Sequence, residues 1–294
     1  MPIARSIYEK RHRPLDAFAY TIIAFCASIS IILLASIVSY VTFRGVSSVN
    51  WSFLTSVPSA MKGTFGIAGN IVNTLYIIVI TLIIAIPFGI GAAIYLNEYA
   101  KPGKLVSLIE FTTETLAGIP SIIFGLFGYV FFGMTLNLDY SILRGALTLA
   151  IMVLPLITRN TQEALKTVPE SYRSGALGIG ATKWYMIRTI LRPSAMPGII
   201  TGIILSIGRI VGESAALLFT AGSGYLLPQV GEFGKGLVDK IFQPGGTLTI
   251  QLYLSSSNGK YDQVFGIALV LLIIVFGINM LTKYLSKKFN VNRQ

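Results

Sequence analysis

Two ionisable residues, Arg209 and Glu213, interrupt an otherwise apolar stretch that runs from Pro193 to about Leu227. A four-residue spacing puts both on one face of a helix. An arginine at the centre of a membrane helix costs about 2.5 to 3.5 kcal/mol on insertion scales, and a carboxylate is similar, so the two are expected to face a pathway or each other. At about 1.5 Å per residue, Arg209 lies roughly 20 Å along this helix, past the middle of an apolar core about 30 Å thick. The guanidinium is a planar fork of donors that suits phosphate or carboxylate bidentately, so the chemistry to expect is guidance of an oxyanion. Glu213 would partly neutralise Arg209 and keep the anion from being trapped. The alternative is a structural pair that only holds helices together.

Other chemistry is thinly provided. The single His12 and the single Cys26 exclude a disulfide or a His/Cys metal site within the chain, and no nucleophile and base pair up at membrane depth. A phosphate-cradling loop needs Gly, four residues, Gly-Lys and Ser or Thr. The nearest approach, Gly234-Lys235-Gly236, has Gln at 229 and Gly where the hydroxyl belongs. No cofactor, no metal and no ATP site of its own are expected, so active transport would draw its energy from a partner or an ion gradient.

The elements that position Arg209 are membrane helices. With 53% hydrophobic residues, 12% charged residues and a mean hydropathy of +0.72, the chain reads as an integral membrane protein. Charge-free runs cover Ala17 to Phe43, Gly63 to Leu96, Thr115 to Leu138, Gly145 to Thr158, Pro193 to Gly208 and Gln263 to Thr282. Four are long enough to cross outright. The fourth is short, but Arg144 and Arg159 flank it and can snorkel to opposite surfaces. The fifth continues through Arg209 and Glu213 as one helix. Arg5, Lys10, Arg11 and Arg13 precede 27 charge-free residues, longer than a signal peptide's apolar region, so a retained first helix is expected.

Six spans put both termini on one side. The termini and the loops near 97–110 and 159–192 hold sixteen Lys and Arg, against six in the loops near 44–62, 139–144 and 232–262. Both termini are therefore expected to be cytoplasmic. The net charge of +11 is then an orientation signal and an attraction to anionic lipid, with no nucleic acid required. No repeat or soluble domain interrupts residues 1–294, which read as a single transmembrane domain. Trp51 and Phe53 in the first outer loop are read as interfacial anchors. The outer loop from Ser223 to Asp262 has room for a short helix or strand and could meet an external binding protein.

The polar interlude 159–192 is too organised for a mere connection. Thr167-Val168-Pro169-Glu170 has the form of a capping box with Pro in the first turn, which predicts a helix ending at Gly178-Ile179-Gly180. Thr182 caps a second helix, Lys183 to Leu191, which Pro193 forces to start anew. Two short helices at a bend make a knob for a groove on a soluble partner. Gly198, Gly202, Gly208 and Gly212 follow at spacings that let another helix approach closely.

Here the chain resembles the permease subunits of ABC importers, whose cytoplasmic loop carries Glu-Ala-Ala, three residues, Gly, nine residues, then Ile-any-Leu-Pro. The matching positions are Ser174, Gly175, Ala176, Gly180, Ile190, Leu191, Arg192 and Pro193. The spacing is intact, while Ser174, Gly175 and Arg192 stand where the pattern has Glu, Ala and Leu. Leu116-Ala117-Gly118-Ile119-Pro120-Ser121 resembles the third-helix signature of phosphate permeases, and Arg209-Ile210-Val211-Gly212-Glu213-Ser214-Ala215-Ala216 their fifth-helix signature, continuing as in the PstA type. Pro87 to Leu96 and Asn50 to Thr55 match as well.

The resemblance implies an all-α, six-helix permease of the type I importer (MetI-like) fold with both termini cytoplasmic. It implies a second related permease of the PstC type, a cytoplasmic ATPase dimer seated on the knob, and an external phosphate-binding protein. Arg209, Glu213 and Ser214 would line the substrate pathway. Ser174, Gly175, Ala176, Gly180, Ile190 and Pro193 would couple to the ATPases. The rival readings are a permease for another oxyanion, such as sulfate or molybdate, and an ion-gradient-driven transporter with Glu213 as its proton site.

Overall fold

The computed structural model describes residues 14–58, 64–228 and 235–289. The basic residues Arg5 to Arg13, with His12, and Gly234 lie outside them. From the amino end, α1 (Pro14–Val46) is an apolar rod packed along the last helix, and α2 (Trp51–Thr55) is a short turn started by Asn50, whose side chain accepts the Phe53 amide. α3 (Ala68–Ile94) crosses and runs on through a π turn, Tyr95–Tyr99. α4 (Lys104–Gly118) and α5 (Ser121–Gly128), the latter prolonged by a π segment Tyr129–Thr135, meet at 102°. α6 (Ile142–Lys166) leads to the short helices α7 (Glu170–Gly178) and α8 (Lys183–Met186). A π turn, Ile187–Leu191, joins α8 to α9 (Arg192–Gly212), followed by α10 (Ala215–Thr220), α11 (Lys235–Asp239), α12 (Leu248–Ser257) and α13 (Tyr261–Phe289).

Among the described residues, five helices are long and apolar enough to cross a membrane, and the α4–α5 pair makes a sixth span if taken together. The expected six-helix plan stands, with two spans broken. The third breaks because Pro120 drives Ile119 into the extended region, φ −70° and ψ 132°. The fifth does not continue to Leu227; it stops at Gly212.

Three local expectations are corrected. α6 stays helical through the first part of the polar segment, to Lys166, and Thr167 gives its hydroxyl proton to the Ala164 carbonyl behind it instead of capping α7. Pro193 starts nothing new: in the π turn before it the Arg192 amide donates to Ile187 O, five residues back, and the widened turn lets the helix continue past the proline. Phe53 is not an interfacial anchor. It is buried with Ile67, Leu248 and Ile267, leaving Trp51 alone outside.

The central core is Ile77, Leu149, Val153, Ile210 and Leu217 from α3, α6, α9 and α10. In lipid, such contacts gain from close packing rather than from escape from water. The polar end differs. There Leu165, Val168, Ala176, Met186, Ile187 and Leu191 form a second core, each large side chain stabilising by about 1.5–3 kcal/mol. The knob is thus fixed to α6 and α9.

Candidate functional site

After Gly212 the chain is extended at Glu213, φ −82° and ψ 124°, and helical again only from Ala215. Glu213 is 9% exposed, and its Oε1 accepts the Ala216 amide at 3.0 Å. Its backbone oxygen accepts the Thr249 hydroxyl at 3.0 Å. The carboxylate therefore caps α10 at the positive end of that short helix. This corrects the same-face pairing with Arg209. Half-buried one turn earlier, Arg209 makes no hydrogen bond or ion pair among the described residues, and Ser214 is half-buried at the break.

The two broken spans touch. A Cβ on Gly125 of α5 would lie 2.8 Å from Ala216 Cα, so only glycine lets the restarted helices approach this closely. Both helices restart within broken spans, and the first amides of such half-helices carry partial positive charge. Of the four α9 glycines, Gly198 and Gly202 pack on Ala164 and Asn160 of α6. Gly208 and Gly212 face open space, in a stripe with exposed Thr201 and Leu205.

A second arginine, near the start of α6, was not expected to matter. Arg144 does not snorkel; it is 2% exposed. It donates to Leu138 O at 3.2 Å, Tyr129 O at 3.4 Å and Phe219 O at 3.1 Å, between the rings of Tyr129 and Tyr140 at 5.0 and 4.8 Å. It thereby neutralises carbonyls at the carboxyl end of α5, just past the π segment and in the last turn of α10. Tyr129 and Tyr140, both upstream of it in sequence, were the available signal.

In the knob, α7 ends at Gly178, Ile179 follows as its cap residue, and Gly180 takes φ +83°, a left-handed conformation that glycine occupies without strain. The expected cap of α8 is formed, with the Tyr185 amide donating to Thr182 Oγ1 at 3.3 Å. Ala176 is buried, Gly175 is open, and the exposed Ser174 hydroxyl bends back to Glu170 O at 3.2 Å. Ile190 is half-buried, and Pro193 follows the π turn. The outer surface carries Ile179 at 86% exposure, with Tyr172, Leu177, Trp184 and Tyr185 also exposed. An apolar patch of this kind on a polar segment marks an interaction surface. Sequence reasoning missed Arg173, whose Nη2 reaches Glu98 Oε1 at 3.0 Å.

The sequence pattern of the family described as "Binding-protein-dependent transport system inner membrane component" matches residues 85–291. The chain is 34% identical over 290 residues to the probable ABC transporter permease protein YqgI of Bacillus subtilis (strain 168), covering 94% of this chain and 98% of that one. It is 33% identical over 280 residues to the phosphate transport system permease protein PstA of Xylella fastidiosa (strain Temecula1 / ATCC 700964), covering 94% and 93%. Among solved structures, a chain of a bacterial alginate ABC transporter in complex with its alginate pentasaccharide-bound periplasmic protein superimposes with a TM-score of 0.64 at 14% identity, covering 95% and 96%. A chain of the inward-facing MetNI methionine ABC transporter gives 0.55 at 18%, covering 76% and 94%. At these identities the structures speak for the fold alone. The family match over most of the chain and the full-length relatives agree with the helical architecture: the chain belongs to the binding-protein-dependent transport system inner membrane component family, as a multi-pass permease of the type I ABC importers.

Proposed function

We propose that this chain is one of two permease subunits of an ATP-driven phosphate importer, with Arg209 as a transient anion station. The observation that carries the proposal is the contrast at the fifth-span break: Glu213 is committed to capping α10, while the Arg209 side chain is left without a partner among the described residues. A cation kept open one turn before the break in a membrane span suits a divalent or monovalent oxyanion that must bind weakly and leave. Phosphate is the cargo because several full-length relatives are named phosphate permeases. The use of Glu213 as a cap supports this over a proton carrier, which needs a carboxylate free to change partners.

The open stripe Thr201, Leu205, Gly208 and Gly212 would face a second related permease of the PstC type, which completes the pathway. The apolar surface of the knob, including Ile179 and Trp184, would seat in a groove of a cytoplasmic ATPase dimer. Both termini would then be cytoplasmic, and the loop carrying α12 would meet an external phosphate-binding protein. Closure of the ATPases on ATP would pull the knob and rock the helices between inward-open and outward-open states. The test is phosphate uptake into vesicles carrying this chain with its co-purified partners, comparing ATP supplied to the ATPases with an imposed proton gradient. ATP-dependent uptake that requires the binding protein is expected; gradient-driven uptake without ATP would overturn the proposal.

A further inference from the structure

The knob has covalent continuity with two spans only. α6 runs into it through Thr167, and α9 runs out of it through the π turn Ile187–Leu191. α3 has no such link, although it packs along both α6 and α9. Its connection is made by side chains. Buried positions along α3 step by four through Thr81, Ala85, Gly89 and Ala93, and the next step would bury Asn97. The π turn Tyr95–Tyr99 adds a residue, so Leu96 and Glu98 turn inward instead.

Arg173 of α7 meets that carboxylate with Nε at 3.2 Å and Nη2 at 3.0 Å, both on Oε1, which also accepts Asn97 Nδ2 at 2.7 Å. The same guanidinium donates to Leu165 O at 2.9 Å and Val168 O at 3.0 Å at the end of α6, and to Glu170 Oε2 at 3.2 Å. The side chains of Arg173 and Glu98 are 13% and 5% exposed, so water screens the pair little. The second knob helix reaches the same turn, with Lys183 Nζ 5.1 Å from the centre of the Tyr99 ring. Each helix of the knob is therefore fastened to the π turn that ends α3.

We infer that the Glu98–Arg173 pair, supported by Lys183 on Tyr99, is the strut through which movement of the knob reaches α3. This rests on the importer reading and adds the residues that carry its coupling. With the strut intact, α3, α6 and α9 move as a unit when the ATPases close. With it cut, the knob still docks and ATP is still hydrolysed, but α3 lags and the pathway fails to switch.

The experiment uses the assembled importer in proteoliposomes with saturating binding protein, and reads phosphate imported per ATP hydrolysed. Glu98→Gln keeps the size and one acceptor but removes the charge. Its complex is expected to assemble and retain basal hydrolysis, while the import ratio falls about tenfold, within the ~5–150-fold range of coupling between sites. Arg173→Gln should fall as far, and Arg173→Lys should recover part of the loss, which a packing role would not give. Should Glu98→Gln fail to assemble, Tyr99→Leu carries the test: it leaves the buried pair in place and should lower the ratio about twofold, as for loss of an exposed cation–π contact. An unchanged ratio in assembled Glu98→Gln, or in Tyr99→Leu where that variant carries the test, overturns the strut. A wild-type complex with no ATP-driven uptake removes the importer reading itself, and the strut with it.

Discussion

Arg144 and Arg209 lie in helices of the same bundle, and their surroundings are opposite. Arg144 is enclosed by two tyrosine rings and three carbonyl oxygens from three segments. Arg209 is half-buried, and its side chain meets no acceptor among the described residues. A guanidinium with five donors in a low-dielectric layer must be matched by acceptors or by something that arrives. The first solution fastens structure; the second leaves capacity for an anion. The difference shows that an intramembrane charge is not by itself a sign of function, and that its acceptor count separates the two cases.

The sharpest way to break this comparison is to remove Arg144. Arg144→Ala leaves three carbonyls to find new partners, at about 1–3 kcal/mol each where they stay dry, so a loss of several kcal/mol in thermal unfolding of the purified complex is expected. Arg209→Gln should shift unfolding by less than about 0.5 kcal/mol, as for sites without partners. Equal destabilisation of the two variants would end the distinction. Gly180→Pro comes next. The observed φ of +83° is closed to proline, so the knob's bend is lost and ATP-coupled uptake should stop; normal uptake would show that the bend is dispensable. Glu213→Ala should cost about 1 kcal/mol as the loss of a helix cap, with uptake only modestly reduced. Uptake reduced as severely as by loss of Arg209 would return Glu213 to the pathway.

The smallest effect concerns Lys240, which is fully buried in the segment between α11 and α12 with one acceptor among the described residues, Pro244 O at 3.4 Å. Burial lowers its pKa from the ordinary 10.5. Between the lowered value and 10.5 the unfolded chain holds the proton that the folded chain has lost, so stability rises with pH across that window. Lys240→Met should therefore unfold at a higher temperature than the wild type near neutrality, with the gap narrowing as pH approaches 10.5. A gap that widens with pH would contradict the assignment.

The six-span plan was legible because runs of apolar residues of spanning length report directly on the lipid layer. The knob was legible through local chemistry, namely the Thr182 cap and the Gly180 turn. What escaped was set by contacts across the chain. Nothing near Glu213 in sequence announces that the helix stops there, because the break is held by Thr249, 36 residues on. Arg144 reads as a flanking charge until Phe219, 75 residues away, supplies its acceptor. Glu98 and Arg173 are likewise 75 residues apart, and the π turn that brings Glu98 inward has no local signature. Thr167 carried a convincing capping pattern, but α6 had already taken it as its own last turn.

The central claim is that Arg209 is held open for the transported anion. The most direct measurement is ATP-driven phosphate uptake by the assembled complex carrying Arg209→Gln, alongside its thermal unfolding and ATP hydrolysis. A loss of uptake on the order of 100-fold, as when one preorganised donor to an anion is removed, with unfolding and basal hydrolysis unchanged, is the predicted result. Uptake that persists at the wild-type rate in a correctly assembled complex would contradict it.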